Sequence, residues 1–212
     1  VAGGVEIVFV DDGSRDRSLD RLRDIAPRAA RVRVVELDGN QGRTAAFAAG
    51  FAAARGEITV TLDADLQNDP ADIPRLLDAF EATGADVVNG VRTQRNDSWL
   101  RRLSSRVANG VRNRVTHDRV TDVGCSLRAM RTAQLRRIRP FRNMHRFLPT
   151  LLRMEGATRV VEIPVSHRPR RHGVSKYGIG NRLWVGIADL YGVRWLQARH
   201  LPVRVRRADP PD

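Results

Sequence analysis

The sequence predicts an α/β domain built on a mostly parallel sheet with helices on both faces. Short apolar runs alternate with stretches of helical periodicity from Val5 to Val91, the order produced by parallel strands joined through crossover helices. Polar residues gather where the apolar runs end, at Asp11-Asp12-Gly13-Ser14, Asp63-Ala64-Asp65 and Arg92. Open α/β sheets bind ligands outside the carboxyl ends of their strands, so these termini are the candidate site. At 212 residues the chain can bury one sizeable core.

The elements follow in order. Val5 to Val10 reads as a buried strand breaking into the Asp11-Asp12-Gly13-Ser14 turn. Ser14 is placed to cap a helix carrying Leu19, Leu22 and Ile25 at helical spacing, with Pro27 at its far boundary. Arg31 to Leu37 is a second strand, Gly39-Asn40-Gln41-Gly42 a tight turn, and Thr44 to Ala54 an alanine-rich helix closed by Gly56. Ile58 to Leu62 forms a third strand. Pro70, Ile73, Leu76, Leu77 and Phe80 then mark an amphipathic helix, and Ala85 to Val91 a fourth strand. Beyond Val91 the pattern gives a basic helix from about Trp99 to Val115, a segment around Asp122 to Met130 and a helix from about Met144 to Glu155. A strand at Arg159 to Val165 and an arginine-rich loop follow. In the last element, Ile179 to Arg199, Leu183, Ile187, Leu190, Tyr191 and Trp195 share roughly one face with Trp184 beside it. Such a helix suits a membrane interface and equally suits packing on the core. The basic tail after Pro202 is expected to be poorly ordered.

The net charge of +13 is carried by arginine, since Lys176 is the only lysine. Guanidinium groups bind phosphate bidentately, which points to polyanions such as a diphosphate or an anionic headgroup. A solvated basic surface would look the same. Nucleic-acid binding lacks support, because aromatics are 5% of the chain and no helix-turn-helix or zinc-finger spacing occurs. No uninterrupted apolar stretch reaches the roughly 18 to 20 residues a membrane span needs, so a soluble or peripheral protein is expected. Cys125, the single cysteine, can form no internal disulfide.

Asp63 and Asp65, one residue apart at a strand end, can turn their carboxylates to the same side and hold magnesium or manganese, with Gln67 as a further oxygen ligand. Alone, Asp-x-Asp also describes a solvated turn. The composite Asp63-Ala64-Asp65-Leu66-Gln67-Asn68-Asp69-Pro70 is more specific.

Together, Phe9-Val10-Asp11-Asp12-Gly13-Ser14, Asn40-Gln41-Gly42-Arg43 and Leu62-Asp63-Ala64-Asp65-Leu66-Gln67 resemble glycosyltransferase family 2, within its dolichol- and polyprenol-phosphate sugar transferase branch. Agreement extends through Asp97 to Arg102, Ser105 to Asn109, Asp122 to Leu127, His145 to Pro149 and His167 to Tyr177. The resemblance implies a GT-A-like fold and an inverting transfer of a sugar, mannose being favoured, from a GDP- or UDP-sugar to a polyprenyl or dolichyl phosphate. It implies nucleotide-sugar binding by Asp11, Asp12, Asp63, Arg43 and Ser175. Asp65 and Gln67 match the ligands of a Mg2+ or Mn2+ ion on the donor diphosphate, and Asp65, Arg170 and Lys176 the catalytic positions. Arg92, Arg106 and Asp122 fall at the acceptor phosphate. The catalytic domain would then span 1–178, its nucleotide-sugar half about 1–92 and its acceptor half about 93–178. An interfacial helix at 179–200 and a basic tail at 201–212 would make peripheral contact with the cytoplasmic membrane face.

One family feature is missing. Relatives open with a strand ending in a Pro-x-Tyr-Asn-Glu-like turn, and the first strand here matches the second of theirs, so a gap in the sheet is expected between the Val5 to Val10 and Ile58 to Leu62 strands. A nucleotide- or membrane-binding relative without turnover, and a nucleotidyltransferase of similar layout, are the alternatives.

Overall fold

The computed structural model describes residues 4–93, 99–168 and 180–201. The elements are β1 Ile7–Asp11, α1 Ser18–Ile25, β2 Val32–Glu36, α2 Arg43–Ala53, β3 Ile58–Thr61, α3 Ile73–Thr83, β4 Val87–Arg92 and α4 Trp99–Thr116. They continue with β5 Arg128–Arg131, α5 Thr132–Leu135, α6 Leu148–Met154, β6 Val160–Val165 and α7 Gly180–Arg199. Among the described residues, β1 and β2 pair in parallel as one ribbon, while the order β3-β5-β4-β6 forms a four-stranded sheet. β4 and β6 run parallel. β5 runs antiparallel to both β3 and β4, a mixed sheet where the alternation of strands and helices implied a mostly parallel one. The difference lies in β5, which follows α4 and enters the sheet antiparallel between β3 and β4.

Period-two alternation along the strands divides the core between the two faces of the sheet. Val87 and Met130 point into a cluster with Phe51, Leu148, Leu152 and Val193, which brings α2, α6 and α7 onto that face. Val88, Leu127 and Ala129 point the other way, onto Leu76 and Phe80 of α3. Gly84 closes α3 in the left-handed conformation at φ 59°, a backbone a side chain would strain.

Two local expectations change. The strand expected to be buried is half-exposed: Ile7 is 47% accessible, because β1 pairs only with β2 among the described residues. Ser14 does not cap α1. Its amide and hydroxyl both donate to the Asp11 carboxylate, and α1 begins later, at Ser18. The ribbon is anchored to the rest through Glu6, which accepts from the amides of Arg55 and Gly56 and from Arg33. Those bonds, the Arg55 amide first, hold the Glu6 carboxyl below its usual range.

The expected ordering of 202–212 and the loop residues Arg170, Ser175 and Lys176 lie outside the described residues.

Candidate active site

The strand directions assemble the site. β3, β4 and β6 all run opposite to β5 or parallel to one another. Their carboxyl ends and the amino end of β5 therefore share one edge of the sheet. On it lie Asp63 to Gln67 after β3, Arg92 at the end of β4, Asp122 to Ser126 before β5, and Ser166 to Arg168 after β6.

The β1 turn joins this edge through its backbone. The Asp12 carboxylate accepts from the amides of Gln41, at 2.7 Å, and Gly42, at 3.0 Å, at the start of α2. The Asn40 side chain donates to the Asp12 carbonyl at 2.9 Å. Gly13, at φ 68°, lies so close to the second turn that a Cβ there would stand 2.6 Å from Asn40 N and Gly39 C. Asp11 is buried and holds Ser14. Asp12, expected to bind the nucleoside, thus also braces the turn that carries Arg43, while the Asp11 carboxylate braces its own turn through Ser14.

Arg43 donates to both oxygens of Asp63, at 2.7 and 2.6 Å, and lies 5.5 Å over the Phe47 ring. Two residues expected on the donor are therefore paired with each other. Leu66 takes a positive φ of 62°, a conformation costing a branched side chain about 1–2 kcal/mol. Beyond that bend the main-chain amide of Gln67 donates to Asp65 Oδ1 at 3.1 Å. Among the described residues no group of three His, Cys, Asp or Glu side chains is arranged around a metal ion. Carboxylate and amide oxygens nevertheless fit a magnesium- or manganese-type cation whose remaining positions a diphosphate fills.

The β3 loop is clamped on both sides. Ser126 accepts from Asn68 Nδ2 at 2.8 Å and from the Asp63 amide at 3.3 Å. On the other side, the Arg168 amide donates to the Gln67 carbonyl at 2.7 Å, Arg168 pairs with Asp69, and the Ser166 amide donates to buried Asp72 at 2.7 Å. The chain thus enters the Arg170–Lys176 stretch from beside Gln67.

Arg92, Arg106 and Asp122 are brought together. They line a cavity of about 610 Å³ with Asn109, Asn113 and Thr121. Asp122 holds Arg92 bidentately, at 2.7 and 2.8 Å, and also accepts the Gly124 amide at 3.1 Å. A Cβ on Gly124 would sit 2.6 Å from the Arg92 guanidinium, so a side chain there would push the arginine out of its present position. Asp122 therefore orients an arginine.

Three further residues beside this edge carry contacts to which the sequence assigned no role. Arg128 is buried and donates to Asn89 Oδ1 at 2.6 Å, His145 O at 3.0 Å and Val123 O at 2.5 Å. Burial lowers its pKa to about 10. His145 stacks on Phe47, and its Nδ1 lies 3.2 Å from the Thr44 hydroxyl. Burial first, then the Arg43 charge, pushes its pKa down to about 3. Glu162 accepts from Asn89 at 3.0 Å and from the Thr121 hydroxyl at 2.6 Å, bracing the cavity wall. The available signal was an arginine inside the apolar Leu127 to Met130 run.

An α/β sheet with carboxylates, a strained acidic loop and an arginine-lined cavity on one edge is the layout of a GT-A transferase. Residues 2–139 match Glycosyl transferase family 2, and the chain belongs to that family. It is similar to the undecaprenyl-phosphate 4-deoxy-4-formamido-L-arabinose transferase of Edwardsiella ictaluri, 46% identical over 175 residues, covering 82% of this chain and 53% of that protein. It is also similar to the dodecaprenyl-phosphate galacturonate synthase of Rhizobium johnstonii, 40% identical over 191 residues, covering 89% and 56%. The chain thus spans a little over half the length of these relatives. The fold also matches glucosyl-3-phosphoglycerate synthase of Mycobacterium tuberculosis solved with Mn2+, UDP-glucose and glycerol 3-phosphate. The TM-score is 0.60 at 19% identity, covering 90% of this chain and 68% of that one. The sugars in the relatives' names are a formamido-arabinose and galacturonate, so the expectation of mannose finds no support.

Proposed function

We propose that the chain is the catalytic part of an inverting glycosyltransferase that moves a sugar from a nucleotide-sugar to a polyprenyl phosphate at a membrane surface. The observation that carries this reading is the sharing of one sheet edge by the Asp63–Gln67 loop and the cavity lined by Arg92 and Arg106. A donor diphosphate and an acceptor phosphate need two such subsites side by side. The polyprenyl-phosphate relatives support the acceptor class, and favour a formamido-pentose or uronic acid over mannose. The UDP-glucose in the structural neighbour favours a uridine nucleotide.

On this reading Asp11, Asp12, Asp63, Arg43 and Ser175 serve the nucleotide-sugar. Arg92 and Arg106 hold the acceptor phosphate, with Asp122 fixing the plane of the Arg92 guanidinium. The acceptor is already anionic near neutral pH, so it needs no strong general base. One of its oxygens forms the bond to the anomeric carbon while the bond to the nucleoside diphosphate breaks, and a single in-line displacement inverts the configuration. The barrier lies in charge building on the departing diphosphate, which Arg170 and Lys176 meet with fixed positive charge. A Mg2+ or Mn2+ ion held by Asp65 and Gln67 would supply further neutralisation of that charge.

Radiolabelled UDP-sugars incubated with polyprenyl phosphate, with and without a chelator, test the proposal by label extracted into organic solvent. Metal-dependent transfer is expected, with Arg92→Ala raising the acceptor KM more than the donor KM. Absence of transfer to any lipid phosphate, or an Arg92→Ala effect confined to the donor, would overturn it.

A further inference from the structure

Thr121 lies on the surface, yet side chains from two separate elements take each of its polar groups. Asn109 of α4 donates Nδ2 to the Thr121 carbonyl at 2.8 Å. Glu162 of β6 accepts the Thr121 amide at 2.9 and 3.1 Å and the Thr121 hydroxyl at 2.6 Å. One helical turn along α4, Asn113 donates to the Val120 carbonyl at 2.9 Å and accepts from buried Arg112 at 3.0 Å. Water would satisfy an exposed residue equally well, and a glutamate fixed in one rotamer gives up side-chain entropy. The grip therefore sets where Thr121 sits rather than merely satisfying it.

That position controls the next residue. Asp122 grips Arg92 at 2.7 and 2.8 Å, and the Asp122 carbonyl accepts from Asn89 Nδ2 at 3.2 Å. The same Nδ2 donates to Glu162 Oε1 at 3.0 Å, across the β4–β6 pairing in which Asn89 and Glu162 are partners. One carboxylate thus ties together β6, the fully buried Asn89 of β4 and the loop before β5. Both of its oxygens are taken up by these donors, which suits a brace rather than a base. Thr121, Asn109 and Arg92 line the same cavity as Arg106, so a displacement of Thr121 carries the Asp122 carboxylate, and the guanidinium bound to it, across the cavity wall.

We propose that Glu162 is a positioning residue of the acceptor subsite, acting through Thr121 and Asp122 to aim Arg92 at the acceptor phosphate, a role that rests on the transferase reading above. Guanidinium–phosphate bonds are directional, so a small rotation of Arg92 loses much of their strength. Glutamine at position 162 keeps the geometry without the charge. Its carbonyl oxygen accepts from Asn89 and the Thr121 amide, and its amide donates to the Thr121 hydroxyl. Alanine keeps none of these links, yet it leaves the fold supported, because Asn89 retains its bonds to the Gly90 and Asp122 carbonyls and the Thr121 amide opens to water. The two replacements separate geometry from charge.

The test titrates a short, water-soluble prenyl phosphate into the full chain by calorimetry, beside UDP with Mn2+, and measures the KM of each substrate in transfer. Glu162→Ala is expected to weaken prenyl phosphate binding and raise its KM by about fivefold or more, with UDP affinity and circular dichroism matching the parent. Glu162→Gln should stay within about twofold of the parent. Thr121→Val removes the 2.6 Å bond while keeping the backbone. It should raise the acceptor KM alone and by less than Glu162→Ala, and the double replacement should cost less than the two effects combined, since both act on one contact. Thr121→Val decides the matter by itself if Glu162→Ala fails to fold. Acceptor affinity unchanged in both variants, equal losses for UDP and prenyl phosphate, or Glu162→Gln as weak as Glu162→Ala would overturn the positioning role, while transfer by the parent leaves the transferase reading standing. A parent that neither binds prenyl phosphate nor transfers sugar would overturn both.

Discussion

Replacing His145 with asparagine isolates one buried titration. The Thr44 hydroxyl accepts from the Asn143 amide at 3.1 Å and sits 3.2 Å from His145 Nδ1. Either atom can donate along that contact, and burial keeps the imidazole neutral at neutral pH. Protonation would put a second charge into a buried site near Arg43, which is why the folded pKa falls from 6.5 to about 3. Above pH 6.5 both folded and unfolded chains carry the neutral ring and the site contributes no pH dependence. Below it the unfolded chain takes up a proton that the folded chain refuses, so stability falls by about 1.4 kcal/mol per pH unit until the folded pKa is reached. Between pH 7.5 and 5.5 the integrated loss is about 1.4 kcal/mol. Asparagine keeps an acceptor near the Nδ1 position and cannot titrate. Urea melts of both proteins across this range should show the wild type losing about that much more stability than His145→Asn. Parallel pH profiles, or a His145 nuclear magnetic resonance titration near 6.5, would refute the reasoning.

Gly13→Ala should destabilise the protein by about 3 kcal/mol or more in denaturant melts, since the left-handed backbone is strained and the turn must part from Gly39–Asn40, loosening the Asp12 bonds. A change under about 1 kcal/mol would mean the turns are not in contact. Asp65→Asn should leave the melting curve intact and abolish metal-dependent binding of nucleoside diphosphate in calorimetry, because the residue is half-exposed at a strand end. An unchanged metal titration would remove Asp65 from the ligand set. Lys176→Ala should lower turnover at least about tenfold, the loss of roughly 1.4 kcal/mol of transition-state stabilisation, with Arg171→Ala mattering less. Equal small effects at the two positions would favour diffuse charge over a specific clamp.

The α/β class and most elements were legible because hydrophobic spacing is local. Strand ends then pointed to Asp63, Asp65 and Arg92 without any contact being known. β5 was not legible, because Arg128-Ala129-Met130-Arg131 offers two apolar residues between two arginines. Arg128 is tolerated there only through partners distant in sequence, Asn89 and His145. Ser14 was misread as a cap because its competitor, the Asp11 carboxylate, becomes available only once the strand has broken into its turn. The α7 face was ambiguous for a different reason. Both sides of that helix are apolar, so periodicity could not say that Leu190 turns inward while Tyr191 and Trp195 face solvent.

Arg128 explains why the donor and acceptor sides of the edge are one mechanical unit. Its pKa of about 10 keeps it charged at neutral pH even though it is buried, and all three acceptors around it are neutral. A buried cation satisfied by neutral oxygens is stable only while each stays in position, since an unmet bond to a charged group costs several kcal/mol. One of those oxygens is the Val123 carbonyl, next to the Asp122 that grips Arg92. Another is the His145 carbonyl, whose ring contacts Thr44 beside Arg43. A shift of the acceptor loop therefore disturbs the same cation that steadies His145 and, through Thr44, the start of α2. The Asp63–Arg43 pair and the Arg92–Asp122 pair are consequently expected to respond together when either subsite is filled, although no side chain of one pair touches the other in the bonds described.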